Sequence, residues 1–152
     1  MINLKILNKK AIKEVLKKIK GQWDAEVDFG DKVFLEGKDN DIFIINRDIS
    51  RIDLTKIRIN SMGLYIGQQM VDGFRLSIEG SQIVGPKAKK NILEVDEKRA
   101  REWLKGYELD VRENLSGYLI IKHCADFLGC GKVKDNKVLN YVPKNRRLRV
   151  SD

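Results

Sequence analysis

Three side chains late in the chain have the types that ligate a metal or attack a substrate: His123, Cys124 and Cys130. Neutral imidazole and thiolate both suit zinc, and a thiolate beside an imidazole is also a nucleophile. A structural zinc site takes four ligands at paired spacing, whereas the chain has one histidine and two cysteines in 152 residues. We therefore interpret both cysteines as buried or half-buried residues of a strand pair in a reduced, cytoplasmic protein, and predict no metal.

A catalytic role for either thiol is the alternative that this cluster leaves open. Neighbouring residues of a strand point to opposite faces, so His123 is expected to be badly placed to activate Cys124. No serine lies in a Gly-x-Ser-x-Gly motif either. The sequence therefore predicts no catalytic residue and no cofactor.

Positive charge is the stronger chemical signal. The chain carries 30 Lys and Arg against 22 Asp and Glu, net +8, and residues 132–152 hold seven of these cations against two acids. Such a surplus favours a polyanionic partner, nucleic acid before an anionic membrane surface. Arginine matches phosphate and stacks on bases, so the basic segment is either an RNA contact or a solubilising end. The nearby aromatic residues Tyr118, Phe127 and Tyr141 are either core residues or platforms for unpaired bases.

Gly129-Cys130-Gly131 is the other unusual motif. Two glycines around one small residue let the backbone come close to a neighbour, either a second strand at a bend of a barrel or a ligand.

The clearest element is a helix over residues 8–20. Asn8 is a good N-cap, apolar residues follow at helical spacing, and Gly21 is placed to end the helix. Its other face is either a solvated surface or an accessory RNA-facing patch. That face consists of Lys9, Lys10, Lys13, Lys17, Lys18 and Lys20.

Short strands separated by turn residues follow on both sides of a charged Gly-Pro segment at 85–90. In the first half the pattern predicts strands over 32–36, 41–46, 62–66 and 74–78, a hairpin loop at 37–40 and a short helix over 49–54. In the second half it predicts a strand over 91–95 and a helix from Asp96 to Lys105 that ends at Gly106. Three strands follow over 117–123, 127–134 and 137–142, and Asp135-Asn136 forms the turn between the last two. A basic strand or tail is predicted over 144–150. The second pattern is typical of a small barrel with one crossing helix.

The domain boundary is predicted near 86–90, giving domains at 1–86 and 90–152. Each half is close to the lower limit for an independent core, so the two are expected to pack together. No apolar run approaches the ~20 residues of a membrane helix.

Three motifs in the second half resemble a PUA domain: GYLIIK at 117–122, LGCGKV at 128–133 and VLNYVPKNRRL at 138–148. By pattern they are similar to the PUA-like tails of NSUN/Sun-type rRNA 5-methylcytosine methyltransferases and to stand-alone archaeal pre-PUA plus PUA proteins. GLYIG at 63–67, FRLSIE at 74–79 and GPKA at 85–88 are similar to the pre-PUA domain of the Nip-seven ribosome-biogenesis family.

The resemblance implies an α+β fold in which an N-terminal α/β pre-PUA domain packs on a C-terminal PUA-like β pseudo-barrel with one helix. It also implies an RNA site beside the first PUA helix, the loop after it and the late strands. Transferred to this sequence, that site comprises Lys105, Gly106, Lys122, Lys132, Lys144, Arg146, Arg147 and Arg149.

The function implied is a non-catalytic RNA-binding protein of the cytoplasm that acts in ribosome biogenesis or rRNA modification. The first half has no cysteine and no Rossmann-like glycine motif, so methyl transfer by this chain alone is not expected. The RNA is rRNA or tRNA, and a methyltransferase or a ribosome-assembly protein is the candidate protein partner. The alternatives are an accessory subunit that docks RNA or protein for a separate methyltransferase, with segment 63–73 as a docking face, and a small RNA-acting enzyme.

Overall fold

The computed structural model describes residues 4–46, 63–112 and 114–149, and every structural statement below concerns those ranges. They contain three α-helices and two five-stranded sheets, which together form an α+β fold. The predicted helix over 49–54 and the first residue of the strand predicted over 62–66 lie outside the described residues. None of the described helices is long and apolar enough to cross a membrane.

The first sheet is antiparallel throughout and has its strands in chain order. The strands are β1 Lys5–Ile6, β2 Val33–Glu36, β3 Asp41–Ile45, β4 Leu64–Met70 and β5 Gly73–Leu76. The predicted loop at 37–40 is confirmed, because Asp39 and Asn40 adopt the positive φ values of 60° and 63° that reverse the chain between β2 and β3. The two-residue strand β1 was not predicted, since so short a segment carries no periodicity.

Helix α1, Lys9–Trp23, begins as predicted, with the Asn8 side chain accepting a hydrogen bond from the Ala11 amide at 2.8 Å. The predicted end at Gly21 is wrong. The helix continues until Asp24 takes a left-handed conformation (φ 50°) and donates its amide to the Lys20 carbonyl. The additional residues bury Trp23 completely, and this packing outweighs the low helix propensity of glycine.

Helix α2, Ile78–Val84, occupies a segment whose first residue was expected to end a strand. The alternation of residues 74–79 indicated a strand, but β5 stops at Leu76 because Ser77 acts as an N-cap, accepting from the Gly80 amide at 2.9 Å. Gly80 lies directly against β4, where a Cβ atom would collide with the Ile66 carbonyl. A 3₁₀ turn, Gly85–Lys87, follows at once.

The second sheet forms a curled half-barrel, the PUA-like pseudo-barrel. Its spatial order is β6 Ile92–Glu94, β8 Tyr118–His123, β9 Asp126–Lys134, β10 Lys137–Val138 and β7 Leu109–Asp110. Only the pair β6–β8 is parallel, and the register of β8 on β9 shifts between Ile120 and Lys122. Such an irregularity bends the strand pair.

Local signals in this half are confirmed at three places. Helix α3, Glu97–Leu104, starts at Asp96, whose carboxylate accepts from the Arg99 amide at 2.8 Å. It ends before Gly106, which has a φ of 97°, and the turn at Asp135-Asn136 joins β9 to β10 with both residues at positive φ. The last predicted strand is too long, however. The strand predicted over 137–142 stops at Val138. The segment predicted as a basic strand or tail contains a 3₁₀ turn, Lys144–Arg146, and forms no strand among its described residues.

The largest hydrophobic cluster takes residues from both halves, including Trp23, Phe74, Tyr118 and Ile120. The indole N–H of Trp23 donates to the Tyr118 carbonyl at 3.1 Å, so packing and hydrogen bonding both cross from one sheet to the other. A second cluster around Trp103 fills the pseudo-barrel. The two halves are therefore in direct contact, while the boundary at 86–90 stays a prediction.

Candidate nucleic-acid interface

The last described residues return to the end of α3 and form a cluster of cations there. We call this cluster the basic corner: Lys105, Lys144, Arg146, Arg147 and Arg149. The Leu148 amide donates to the Leu104 carbonyl at 2.9 Å, and Arg147 Nε donates to the Val142 carbonyl at 2.9 Å. Gly106 leaves room for this return, since a Cβ atom there would approach Arg147 Nε to 2.6 Å. The structure thus brings together Lys105, Gly106 and the basic segment, as predicted. Arg147 holds the segment in place, which is a positioning role.

The other cations of this corner differ in their partners. Arg146 Nη1 lies 2.5 Å from Glu79 Oε1 and so ties the corner to α2 of the first half. Lys144 and Arg149 are exposed, and Lys144 has no ion-pair partner among the described residues. Lys144 is therefore the cation whose charge is most available to a ligand.

A cleft of about 180 Å³ opens beside Arg146, between the two halves. Its lining includes Arg75, whose Cζ atom lies 4.0 Å from the centroid of the Tyr141 ring. Arg75 is further fixed by donation from Nη2 to Gln68 Oε1 at 2.8 Å. The cleft is smaller than the ~300–1,000 Å³ of typical small-molecule pockets. Its stacked guanidinium and phenol groups are the side-chain types on which unpaired bases stack.

Lys132 is a further cation near Tyr141. It forms an ion pair with Asp72, at the turn between β4 and β5, and its Nζ lies 5.9 Å from the centroid of the Tyr118 ring. The hydrogen bond from Lys132 lowers the pKa of Asp72 and raises that of Lys132, and nearby Tyr141 adds to the latter effect. Burial raises the pKa of Tyr118, whose hydroxyl donates to Asp72 at 2.9 Å. Lys132 thus stays charged beside Asp72 and near Tyr141.

Lys122 lies apart from this surface. Its ammonium is 3.9 Å from Glu94 Oε1 and 5.5 Å from the centroid of the Phe127 ring, which packs against Gly85. No contact among the described residues joins it to the basic corner. Of the eight residues implied by the resemblance, Lys122 and Lys132 lie on β8 and β9 outside the basic corner, and of these two it is Lys132 that lies near Tyr141.

The burial prediction is correct for one of the two cysteines and wrong for the other. Cys130 is buried, as expected, and burial raises the pKa of its thiol to about 12. Cys124 is exposed, because it lies in a left-handed turn after β8 (φ 53°) rather than in the strand. The same turn brings its Sγ atom to 3.7 Å from His123 Nε2, so the expected divergence of these two side chains is wrong. No group of three metal-ligating side chains occurs in the described ranges.

Thiol labelling tests this assignment. At about pH 8 a disulfide reagent is expected to modify one thiol per folded chain, because only Cys124 is exposed and the thiol of Cys130 stays protonated in the core. Cys124→Ser should leave the folded protein unlabelled, and denaturant should restore labelling of Cys130. Rapid modification of folded Cys124→Ser would contradict the burial of Cys130.

Comparison with known proteins identifies the second half. Residues 90–148 match the family model described as the methyltransferase RsmF PUA domain. These residues are therefore similar to a PUA domain, and we call residues 90–148 the PUA domain. The matched segment includes α3, the second sheet and the basic corner up to Leu148. In the stacked Arg75–Tyr141 pair, Tyr141 lies inside this segment and Arg75 lies outside it.

Curated relatives extend the similarity towards the first half. The proteins named ribosomal RNA small subunit methyltransferase F from Vibrio atlanticus (strain LGP32) and Vibrio cholerae serotype O1 (strain M66-2) are both 28% identical, over 140 and 110 residues. These matches cover 90% and 70% of this chain but 28% and 23% of the relatives. The predicted similarity to Sun-type methyltransferases is confirmed, and the chain spans less than a third of the length of these relatives.

Sequence reasoning missed Arg75. It was placed on the polar side of a strand, which is correct, but its partner Tyr141 is distant in sequence and the two meet only after the sheets pack. A lone arginine in an alternating strand gives no signal of such a pairing.

Proposed function

We propose that this chain binds RNA through its PUA domain and the adjoining cleft, and that it serves rRNA modification without catalysing it. The observation that carries the proposal is the cleft that Arg146 lines together with the stacked Arg75–Tyr141 pair, while the exposed Lys144 lies in the same 3₁₀ turn as Arg146. Cations that reach phosphates next to a planar stacking platform form the arrangement by which proteins hold unpaired RNA. The match to the RsmF PUA domain supports the same partner.

Arg146 is available to RNA despite its ion pair with Glu79. The two side chains are 42% and 30% exposed, and partly exposed ion pairs of this kind contribute only ~0–1 kcal/mol. Exchange of the carboxylate for a phosphate therefore costs little. Arg147 is different, because its Nε atom is committed to the Val142 carbonyl.

The name of these relatives points to ribosomal RNA as the substrate class. From the similarity to the RsmF PUA domain we infer that this chain presents RNA to a methyltransferase during ribosome biogenesis in the cytoplasm. tRNA is the competing RNA class, and binding measured side by side on an rRNA stem–loop and a tRNA separates the two.

Removal of two charges from the basic corner tests the proposal. Lys144→Gln/Arg146→Gln is expected to weaken binding to RNA about tenfold at ~100 mM salt. Each lost phosphate contact on a single strand should reduce the slope of log K against log salt by ~0.7, so the pair should reduce it by ~1.4. Fluorescence anisotropy over a salt series measures both quantities.

The matched control is Lys5→Gln/Lys38→Gln, two exposed lysines of the first half, which should bind within about twofold of the unchanged protein. Arg147→Gln provides a second comparison, since loss of its hydrogen bond should lower the melting temperature more than the double variant does. An unchanged affinity and slope in Lys144→Gln/Arg146→Gln, with the fold intact, would place RNA elsewhere.

A further inference from the structure

The excess positive charge of the chain is confined to two separate segments. Residues 132–152 are net +5, and α1 carries six lysines against one glutamate, also net +5. The remainder of the chain is therefore net −2, although the whole is +8. The proposed RNA site in the PUA domain uses the cations of the first segment, but the proposed function gives no role to the lysines of α1.

The lysines of α1 lie on one face. At 3.6 residues per turn, five of them fall within an arc of about 100° and extend for ~16 Å along the helix. Lys20 is neutralised by Glu26 at 2.8 Å and Asp24 at 3.3 Å. The other four are exposed, and the described residues give them no ion-pair partner. We call these four the lysine stripe: Lys9, Lys10, Lys13 and Lys17.

The stripe is electrostatically unfavourable in the free protein. Lys9, Lys13 and Lys17 follow one another at i, i+4 spacing, where like charges destabilise a helix by ~0.2–0.5 kcal/mol per pair. Glu14 is the one acidic residue of the helix. A bound polyanion would relieve this repulsion, and the counterions released from the polyanion would favour its binding.

The stripe is held in a fixed orientation relative to the PUA domain. The opposite face of α1 is buried through Val15, Ile19 and Trp23. The last turn is hydrogen-bonded to the segment leading into the PUA domain, where the Lys89 amide donates to the Trp23 carbonyl at 2.8 Å and Asn91 Nδ2 donates to the Gln22 carbonyl at 2.5 Å. The stripe therefore keeps one defined position relative to the PUA domain.

We propose that the lysine stripe is a second RNA-binding surface, outside the PUA domain, that contacts backbone phosphates of an RNA already held at the basic corner. RNA fits better than an anionic membrane, because a membrane-binding helix needs an exposed apolar face and that of α1 is buried. The identity of the polyanion rests on the proposed function. Two surfaces fixed on one body act on a long RNA as linked sites, so the second contact is intramolecular and raises the overall affinity.

The test compares RNAs of two lengths. Lys10→Gln/Lys13→Gln/Lys17→Gln removes three charges and keeps helix propensity nearly unchanged. We expect this variant to bind a 30-nucleotide rRNA stem–loop ten- to a hundredfold more weakly, with a salt slope reduced by ~2, and to bind a six-nucleotide single strand normally. The charge-preserving Lys10→Arg/Lys13→Arg/Lys17→Arg should retain full affinity for both. Lys5→Gln/Lys32→Gln/Lys38→Gln is the matched control at three exposed lysines elsewhere in the first half.

The outcomes separate this inference from the proposed function. Loss of stem–loop binding in both the stripe variant and Lys144→Gln/Arg146→Gln would support two linked sites. Loss in the stripe variant alone would overturn the basic corner as the first site, and with it the proposed function, and would leave α1 as the RNA-binding surface. An unchanged stem–loop affinity and slope in the stripe variant would overturn the stripe. Binding of the unchanged protein to phosphatidylserine vesicles, lost in the stripe variant while stem–loop binding persists, would also overturn it and assign α1 to a membrane surface.

Discussion

Replacement of Trp23 by alanine is expected to lower the free energy of unfolding by ~3–5 kcal/mol. Trp23 is fully buried at the end of α1, within the hydrophobic cluster that both halves share. Its truncation leaves a cavity there and removes the hydrogen bond from its indole N–H to the Tyr118 carbonyl. Since domains have only ~5–15 kcal/mol of stability in total, such a loss is a large part of the whole.

The loss of stability in Trp23→Ala should lower the unfolding transition of both halves together. Denaturant unfolding followed by circular dichroism and by tryptophan fluorescence should give coincident transitions in the unchanged protein and in Trp23→Ala, the latter shifted to lower denaturant. In Trp23→Ala the fluorescence comes from Trp103 alone. Trp23→Phe is the matched variant: it keeps most of the packing but leaves the Tyr118 carbonyl unpaired, so it should cost ~1–3 kcal/mol. A Trp23→Ala transition that splits into two, with the Trp103 signal unshifted, would show that the halves fold independently.

The parts of the fold that the sequence predicts correctly are those set by local chemistry. Asn8 and Asp96 cap helices because their side chains accept backbone amides three residues ahead. Asp135-Asn136 forms a hairpin because both residues tolerate positive φ. These signals need no knowledge of the rest of the molecule.

The parts that were missed depend on tertiary packing. Residues 74–79 alternate as a strand does, and α2 forms there because Gly80 allows the helix to lie directly on the β4 backbone. Gly21 stays helical because Trp23, two residues further, is fully buried in the core. In both cases a local propensity is overridden by a contact with a distant element.

In the candidate site, too, some features follow from the sequence alone and others depend on tertiary packing. Charge composition pointed to the basic segment and to α1, because net charge is a property of the sequence itself. The distinction between Arg147, which positions the segment, and Lys144, which is free to bind, required the return of the chain onto Leu104 and Val142. The separation of Lys122 from Lys132 likewise follows from the register of β8 on β9, which pairs Lys132 with Tyr118 at one end of the two strands and Lys122 with Phe127 towards the other.

Gly131→Ala is expected to destabilise the PUA domain by ~3 kcal/mol, because the site leaves no room for a methyl group. A Cβ atom there would lie 2.8 Å from Cη2 of the buried Trp103 and closer still to the Leu139 carbonyl. That carbonyl cannot retreat freely, since the Leu139 amide is bonded to the Lys132 carbonyl at 2.8 Å. For a chain of this size the melting temperature should fall by ~6–12 °C. The backbone at Gly131 thus lies very close to the segment that contains Leu139. This is the first of the two interpretations of the Gly-Cys-Gly motif, a bend at which the backbone approaches a neighbouring segment.

Gly21→Ala is the matched control, and its effect should have the opposite sign. Gly21 is exposed and helical with no atom within 4 Å of the added Cβ, so alanine should stabilise the protein by ~0.5–1 kcal/mol. Thermal melts of the two variants against the unchanged protein measure both shifts. Equal melting temperatures for Gly131→Ala and the unchanged protein would mean that β9 and Leu139 are not in close contact, which would reopen the second interpretation of the motif as a ligand-contacting loop. If Gly131→Ala melts early while a lowered temperature restores both its fold and its RNA affinity, the glycine acts through packing, and RNA is held by the cations and stacked rings around it.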